Sequence, residues 1–446
     1  MVSIGEHIGL YTVLNAPRDI HIILIARCTR LAAFGAISLI LVQFLKTKGI
    51  NETQIGFLLT LTLVGDLFFS FILALISDTL GRRKVLLLSS ILISLTGALL
   101  LYFENLLIIS VILILGIVTP SGNEVGPFRS IEQSAISSLT KYEHRSDIFS
   151  WYTFTGGIAA GLGSFIVGKL VNENNYNACF LFYSIIGLLL VGLNFLLSEH
   201  IELKNDISLK EARDNESSSE SEPLIPETAS DELQVQYNNT DVQQERQRSV
   251  FSRLLPSVST KSLETVLTLT VLISLDSLGL ALSTKSWTSY YFKVKYNLSS
   301  STLGLVFGTA SIGGALMALV GTYFCKKFGP IKTMVSFHSV SSILLSAMSL
   351  PLRLHEMVTL FIIRGLIRTV DLPSKHVFIS AVVEPSERTA AIGFINATKT
   401  LVNTMGPTIS GYMASQDKMW LCFLIAGALR LSYDFGLIVK FWNFKA

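Results

Sequence analysis

Five ionisable residues stand near the middle of long apolar runs: Arg30, Asp66, Asp276, Asp371 and Lys399. A charge at the centre of a bilayer costs about 2.5–3.5 kcal/mol on insertion scales, so such residues face a polar cavity or a partner of opposite sign. Shielded carboxylates can take up protons, and neighbouring cations can neutralise them or hold an anion. Arg27 and Arg30 are three apart and share a helix face. Arg364, Arg368, Asp371 and Lys375 read as one stripe at spacings of four, three and four. Arg30 has two readings, a cavity cation or a structural partner of Asp66. Arg430 and Asp434, four apart, read as a pair that satisfies itself.

Pro120, Gly122, Gly126 and Pro127 crowd into eight residues around Glu124, a pattern that breaks a helix. Broken membrane helices free backbone polar groups and point to solute sites. A kink serving only packing, with Glu124 near water, is the plainer alternative. Enzymatic chemistry finds no support. His21, His338 and His376 are scattered, no glycine-rich loop cradles a phosphate, and no metal-ligand spacing occurs. The sequence calls for no cofactor and no metal.

The elements that must carry these residues are transmembrane helices. Of 446 residues, 50% are hydrophobic and 15% charged, against about a quarter charged in average domains. Mean hydropathy is +0.54. Roughly 20 apolar residues cross a bilayer as a helix, and twelve runs qualify: about 21–45, 54–77, 84–103, 106–139, 147–170, 176–197, 265–291, 302–325, 332–352, 357–383, 388–413 and 418–441. Barrel strands would alternate over about ten residues instead. No apolar core followed by a small-residue cleavage site opens the chain. Cys28, Cys179, Cys325 and Cys422 lie in or beside spans and read as small core residues.

Charge is uneven along the chain. Glu199 to Glu264 holds 14 acidic and 7 basic residues, a net −7, leaving +10 for the remainder. The expected organisation is 1–198 as a six-helix bundle, 199–263 as a disordered acidic linker and 264–446 as a second bundle. Acidity makes nucleic acid an unsuitable partner. Lys and Arg in the short loops favour cytoplasmic termini by a small margin. Asn51 and Asn297 then open outward sequons close to the membrane. Within the linker, Glu220, Leu224 and Ile225 fit an acidic-dileucine pattern read by sorting adaptors. It leans toward a vacuolar or endosomal membrane; a meaningless stretch of linker is the alternative.

The halves repeat one another. At an offset of 248, Gly56, Gly65 and Gly81 fall on Gly304, Gly313 and Gly329; at 243, Arg145, Gly163 and Gly168 fall on Arg388, Gly406 and Gly411. Duplicated six-helix units build many carriers, with the solute site at the midplane between them. Span five carries Gly156, Gly157, Gly161, Gly163 and Gly168, which suits close helix packing.

Between spans two and three runs Asp78-Thr79-Leu80-Gly81-Arg82-Arg83-Lys84. Here the chain resembles the major facilitator superfamily, whose loop reads roughly Gly-x-x-x-Asp-Arg-x-Gly-Arg-Arg. Asp78, Gly81, Arg82 and Arg83 match; Ala74 and Thr79 depart from the pattern. The second copy, Lys326 to Lys332, keeps Gly329 and its basic character without an acid. Segments Pro120 to Glu132, Asp371 to Lys375 and Pro385 to Arg388 are similar to uncharacterised fungal members.

The resemblance implies an all-α membrane fold of two pseudo-symmetric six-helix bundles. Asp78, Gly81, Arg82 and Arg83 then form an inner gate, or simply a positive anchor. Arg30, Asp66, Glu124, Asp276, Arg368, Asp371 and Lys399 gain access to a central cavity. Counting cavity helices, seven cations (Arg27, Arg30, Arg129, Arg364, Arg368, Lys375, Lys399) face five acids (Asp66, Glu124, Glu132, Asp276, Asp371), a hint of an anionic or zwitterionic solute. The expected function is secondary transport of a small solute coupled to protons, with membrane lipid around it. A uniporter, or a transport-inactive nutrient sensor or scaffold, is the alternative.

Overall fold

The computed structural model describes residues 9–122, 126–172, 175–202, 260–383 and 388–442. A short helix, α1 (Leu10–Leu14), precedes the spans. Spans one to three are α2 (Arg18–Thr47), α3 (Glu52–Leu80) and α4 (Arg82–Tyr102). Span four is split into α5 (Leu106–Leu115) and α6 (Phe128–Leu139); α7 (Tyr142–Leu170) and α8 (Asn177–Phe195) complete the first half. In the second half span seven is also split, into α9 (Thr260–Leu282) and α10 (Lys285–Tyr296). It is followed by α11 (Ser300–Phe328) and α12 (Pro330–Ala347). Span ten comprises α13 (Leu354–Ile367) and α14 (Leu372–Val382), before α15 (Arg388–Ser415) and α16 (Met419–Phe441). The twelve expected spans are therefore present. Eight are long and apolar enough to cross a membrane as described; the other four are split, short or more polar.

Local chemistry sets the ends. Asn51 caps α3 in a capping box with Gln54, its side chain accepting from the Gln54 N–H at 2.8 Å. Asn105 and Ser299 cap α5 and α11 by accepting the Leu107 and Thr302 N–H groups, without the reciprocal bond. Gly81 and Gly329, which the repeat aligns, both hold positive φ (97° and 85°) where one helix turns into the next. A side chain would strain that turn. The break in span four begins at Gly116, earlier than the Pro120–Pro127 cluster indicates. Those in spans seven and ten had no glycine–proline cluster to announce them. Pro373, in the first turn of α14, is the local mark of the latter.

The halves join along two helix pairs, α7 with α11 and α3 with α15. Both rest on glycine against glycine. A Cβ on Gly168 would stand 2.7 Å from Gly304 Cα, and one on Gly411 2.7 Å from Gly56 Cα. The repeat maps Gly56 onto Gly304 and Gly168 onto Gly411, so these are two copies of one contact. Within the first half, Gly163 lets α7 lie on the Ala32 backbone of α2; its copy Gly406 lets α15 lie on Ala281 of α9.

Further links cluster on the face opposite the Gly81 loop, called the far face below. Thr53 bonds Ser415 at 2.9 Å, Thr60 bonds Thr408 at 2.7 Å, and Tyr290 bonds Glu52 at 2.7 Å. Ser286 donates to the Ser38 and Pro120 carbonyls, and Ser289 to Leu39. Overpacking a close contact costs about 1–3 kcal/mol. Gly168→Val should therefore lower the unfolding temperature in detergent by several degrees. Gly192→Val, where a Cβ meets nothing within 4 Å, should leave it unchanged.

Candidate functional site

Arg30 does not pair with Asp66. It lies on α2 with no exposed surface and forms a bidentate ion pair with Glu132 of α6, at 2.7 and 2.8 Å. Tyr152 of α7 donates to the same carboxylate at 2.7 Å, and Phe128 stacks on the guanidinium at 4.2 Å. Arg27 stacks on the Tyr152 ring at 3.6 Å. The planar guanidinium matches a carboxylate approached edge-on, and α6 restarts at Phe128 so that Glu132 meets it. Asp66 instead accepts the Gly126 N–H at 2.8 Å, a backbone donor freed by the break in span four. Its half-buried carboxylate lines a hollow with Ser70, Leu92, Leu115 and Pro127. Glu124 lies outside the described residues.

The second half has an ion pair of the same placement with its charges reversed. Asp276 of α9 meets Lys375 of α14 at 2.5 Å. Each pair joins the first span of its half to the restarted segment of the fourth, and Lys375 follows Glu132 by 243 residues, the repeat's own offset. Asp276 is held further by Arg430 Nε at 3.1 Å and His338 Nε2 at 3.0 Å.

Two expectations need correction here. Arg430 and Asp434 do not satisfy each other. Both turn across the helix interface to His338 on α12, Arg430 to Nε2 at 2.7 Å and Asp434 to Nδ1 at 2.8 Å. His338, passed over in the sequence as scattered, is the hub. Nε2 stands between the Arg430 guanidinium, which can only donate, and the Asp276 carboxylate, which can only accept, so it serves one or the other according to its protonation, while Nδ1 faces Asp434. Lys375 and Arg430 balance Asp276 and Asp434 charge for charge.

The stripe from Arg364 to Lys375 is likewise not one helix face, because residues 368–371 interrupt the helix. Arg364 is 4% exposed, with Nε and Nη2 lacking partners among the described residues. Asp371 is 3% exposed with Oδ1 unpartnered. Arg368 is exposed and Lys399 half-buried. Sequence reasoning missed Lys285, whose ammonium bonds the Gly35 carbonyl at 2.9 Å and Ser164 Oγ at 2.5 Å across the seam between halves. Its position inside the seventh apolar run was the available signal.

The Gly81 loop is tied into its own half. Glu202 caps α4 by accepting the Arg82 and Arg83 N–H groups at 2.6 and 3.1 Å. Arg82 also reaches Ser134 at 2.6 Å and the Ile201 carbonyl at 3.0 Å; Arg83 reaches the Phe195 carbonyl at 2.5 Å. Glu202 and the 3₁₀ turn Glu199–Ile201 lie in the stretch that composition reads as linker. The Asp78 side chain is outside the described residues.

The sequence profile of the Major Facilitator Superfamily matches residues 23–275 and 267–442, nearly the whole described chain. The chain belongs to the Major Facilitator Superfamily. It is 27% identical over 443 residues to the uncharacterized membrane protein YJR124C of Saccharomyces cerevisiae, covering 97% of this chain and 96% of the relative. Among solved structures it is similar to the nucleoside transporter NupG, at TM-score 0.64 and 13% identity over 96% of this chain and 100% of that one. A D-xylose-proton symporter matches at TM-score 0.65 and 13% identity, over 98% of each chain. These likenesses show the superfamily fold of a multi-pass membrane protein.

Breaking a buried pair by removing one partner costs about 3–5 kcal/mol, whereas replacing both with apolar residues costs far less. Glu132→Ala should thus lower the unfolding temperature sharply, while the Arg30→Met/Glu132→Met double variant should recover most of it. Equal losses in a thermal-unfolding series would show that the pair does not hold the bundle.

Proposed function

We propose that the protein is a secondary transporter moving a small solute by alternating access, with protons as the coupling ion. The observation that carries this reading is the one-sided seam. Glycine contacts and hydrogen bonds hold the halves together at the far face, while Arg82 and Arg83 on the opposite face bind their own half. Rocking about the α3–α15 and α7–α11 pairs would exchange one closed face for the other. Asp78, Gly81, Arg82 and Arg83 are proposed to close the opposite face in the alternate state. The D-xylose-proton symporter among the similar structures supports protons as a coupling ion in this fold, without naming a solute for this chain.

The acids divide by partner. Asp276 is committed to Lys375, Arg430 and His338, and belongs to the scaffold. Asp371 and Asp66 make no ion pair among the described residues, and they are the proposed proton carriers. A buried carboxyl group without a cationic partner costs less to hide when protonated, which links proton binding to cavity closure.

Solute uptake into proteoliposomes should rise with an inward proton gradient and lose accumulation when the gradient is collapsed. Asp371→Asn and Asp66→Asn should let solute equilibrate without concentrating it. Uptake indifferent to the gradient would make the protein a uniporter. No flux, together with a phenotype on deleting 203–259, would make it a sensor.

The acidic-dileucine element at Glu220, Leu224 and Ile225 lies outside the described residues. It supports a vacuolar or endosomal destination through sorting adaptors. A fluorescent fusion carrying Leu224→Ala and Ile225→Ala should then move to the cell surface, and unchanged localisation would refute the signal.

A further inference from the structure

We propose that the unspent cations between the halves, Lys285, Arg368 and Lys399, bind a small organic anion. This inference deepens the transporter reading and rests on it for the role of the space between the halves. It follows from removing the charges that are already spent. Glu132 is neutralised by Arg30, and Asp276 and Asp434 by Lys375 and Arg430 around His338. What remains between the halves among the described residues is predominantly cationic.

Lys285 of α10 projects across the seam, and its ammonium is met by a carbonyl and a hydroxyl, with no carboxylate. Arg368 stands at the break in span ten, within electrostatic reach of Lys285. It is exposed although it sits mid-span. An arginine facing lipid at that depth is costly, so we assign the exposed guanidinium to the space between the halves, on the side of Lys285. Lys399 of α15 forms no ion pair or hydrogen bond among the described residues; it lies within electrostatic reach of Lys375 and Asp276, which are already paired with each other, and of exposed Arg129 on the other half.

A second observation points the same way. One turn before Arg368, the Arg364 guanidinium is 4% exposed and leaves Nε and Nη2 without partners. A buried fork with free donors is matched by an oxyanion, not by a neutral or cationic group. The opposing acids are few. Asp371 lies within reach of Arg368 without an ion pair, and Asp66 is bound to the Gly126 N–H. Neither cancels the cations between the halves. A carboxylate or phosphate ester fits this arrangement, and a proton carried on Asp371 would offset part of the charge moved.

The test uses the purified full chain and named probes: succinate, citrate and inorganic phosphate against glucose and choline at matched ionic strength. At least one anion should raise the unfolding temperature in a saturable manner. Arg368→Gln and Lys399→Gln should each weaken that effect roughly tenfold, as expected for losing a charged hydrogen-bond partner. Lys399→Arg, which keeps the charge, should retain it and guards against a folding defect. Stabilisation by glucose or choline alone, by none of the three anions, or to the same extent in the Gln variants would overturn the anion site. The same probes in proteoliposomes separate this inference from the transporter reading. Anion binding without flux refutes transport and leaves the site standing; flux confined to glucose or choline refutes the site and leaves transport standing.

Discussion

Two close backbone contacts, Gly56 against Gly411 and Gly168 against Gly304, are the constraint on which the arrangement of the two halves depends. In a bilayer there is no hydrophobic drive to press helices together, since lipid tails are as apolar as leucine. Helices associate where small residues let backbones approach and dispersion accumulates. The duplicated sequence supplies this contact twice, and the pseudo-twofold relation places both copies on the far face. The hydrogen bonds of Thr53, Thr60, Ser286 and Ser289 gather around them.

Each half is braced differently from the seam. In the first, Arg30, Glu132 and Tyr152 pin α2 to α6 and α7; in the second, Asp276, Lys375, His338, Arg430 and Asp434 pin α9 to α14, α12 and α16. These clusters are buried and paired charge for charge, and taking one charged member away strands its partner in a low-dielectric interior. A rigid half with a soft seam is the mechanical condition for two bodies to rock. The broken helices make the bracing feasible, because α6 and α14 restart at depths that bring Glu132 and Lys375 to their partners.

The number of spans, the duplication and the helix-ending glycines were legible because each leaves a one-dimensional trace: apolar run length, fixed offset, or Gly81 and Gly329 in the same context. The ionic partners were not. Arg30 read as a cavity cation or a partner of Asp66, and Glu132 reaches it because span four breaks and its helix restarts at Phe128. Arg430 and Asp434 have the spacing of a self-contained pair, yet His338 on a neighbouring helix offers each a better-placed group. That preference is set by helix packing, which the spacing of two residues cannot encode. Lys285 was hidden because it sits late in its apolar run, where a lysine reads as an interfacial anchor.

The account stands on the halves separating at the far face during transport, and a cross-link there tests it most directly. Thr53 and Ser415 oxygens lie 2.9 Å apart across the seam, so Thr53→Cys with Ser415→Cys should form a disulfide in a background freed of Cys28, Cys179, Cys325 and Cys422. Flux of a defined mixture of organic acids, sugars and nucleosides would be followed in proteoliposomes before and after reduction. The account predicts that flux stops when the bridge forms and returns when it is reduced. Full flux through the bridged protein would contradict it.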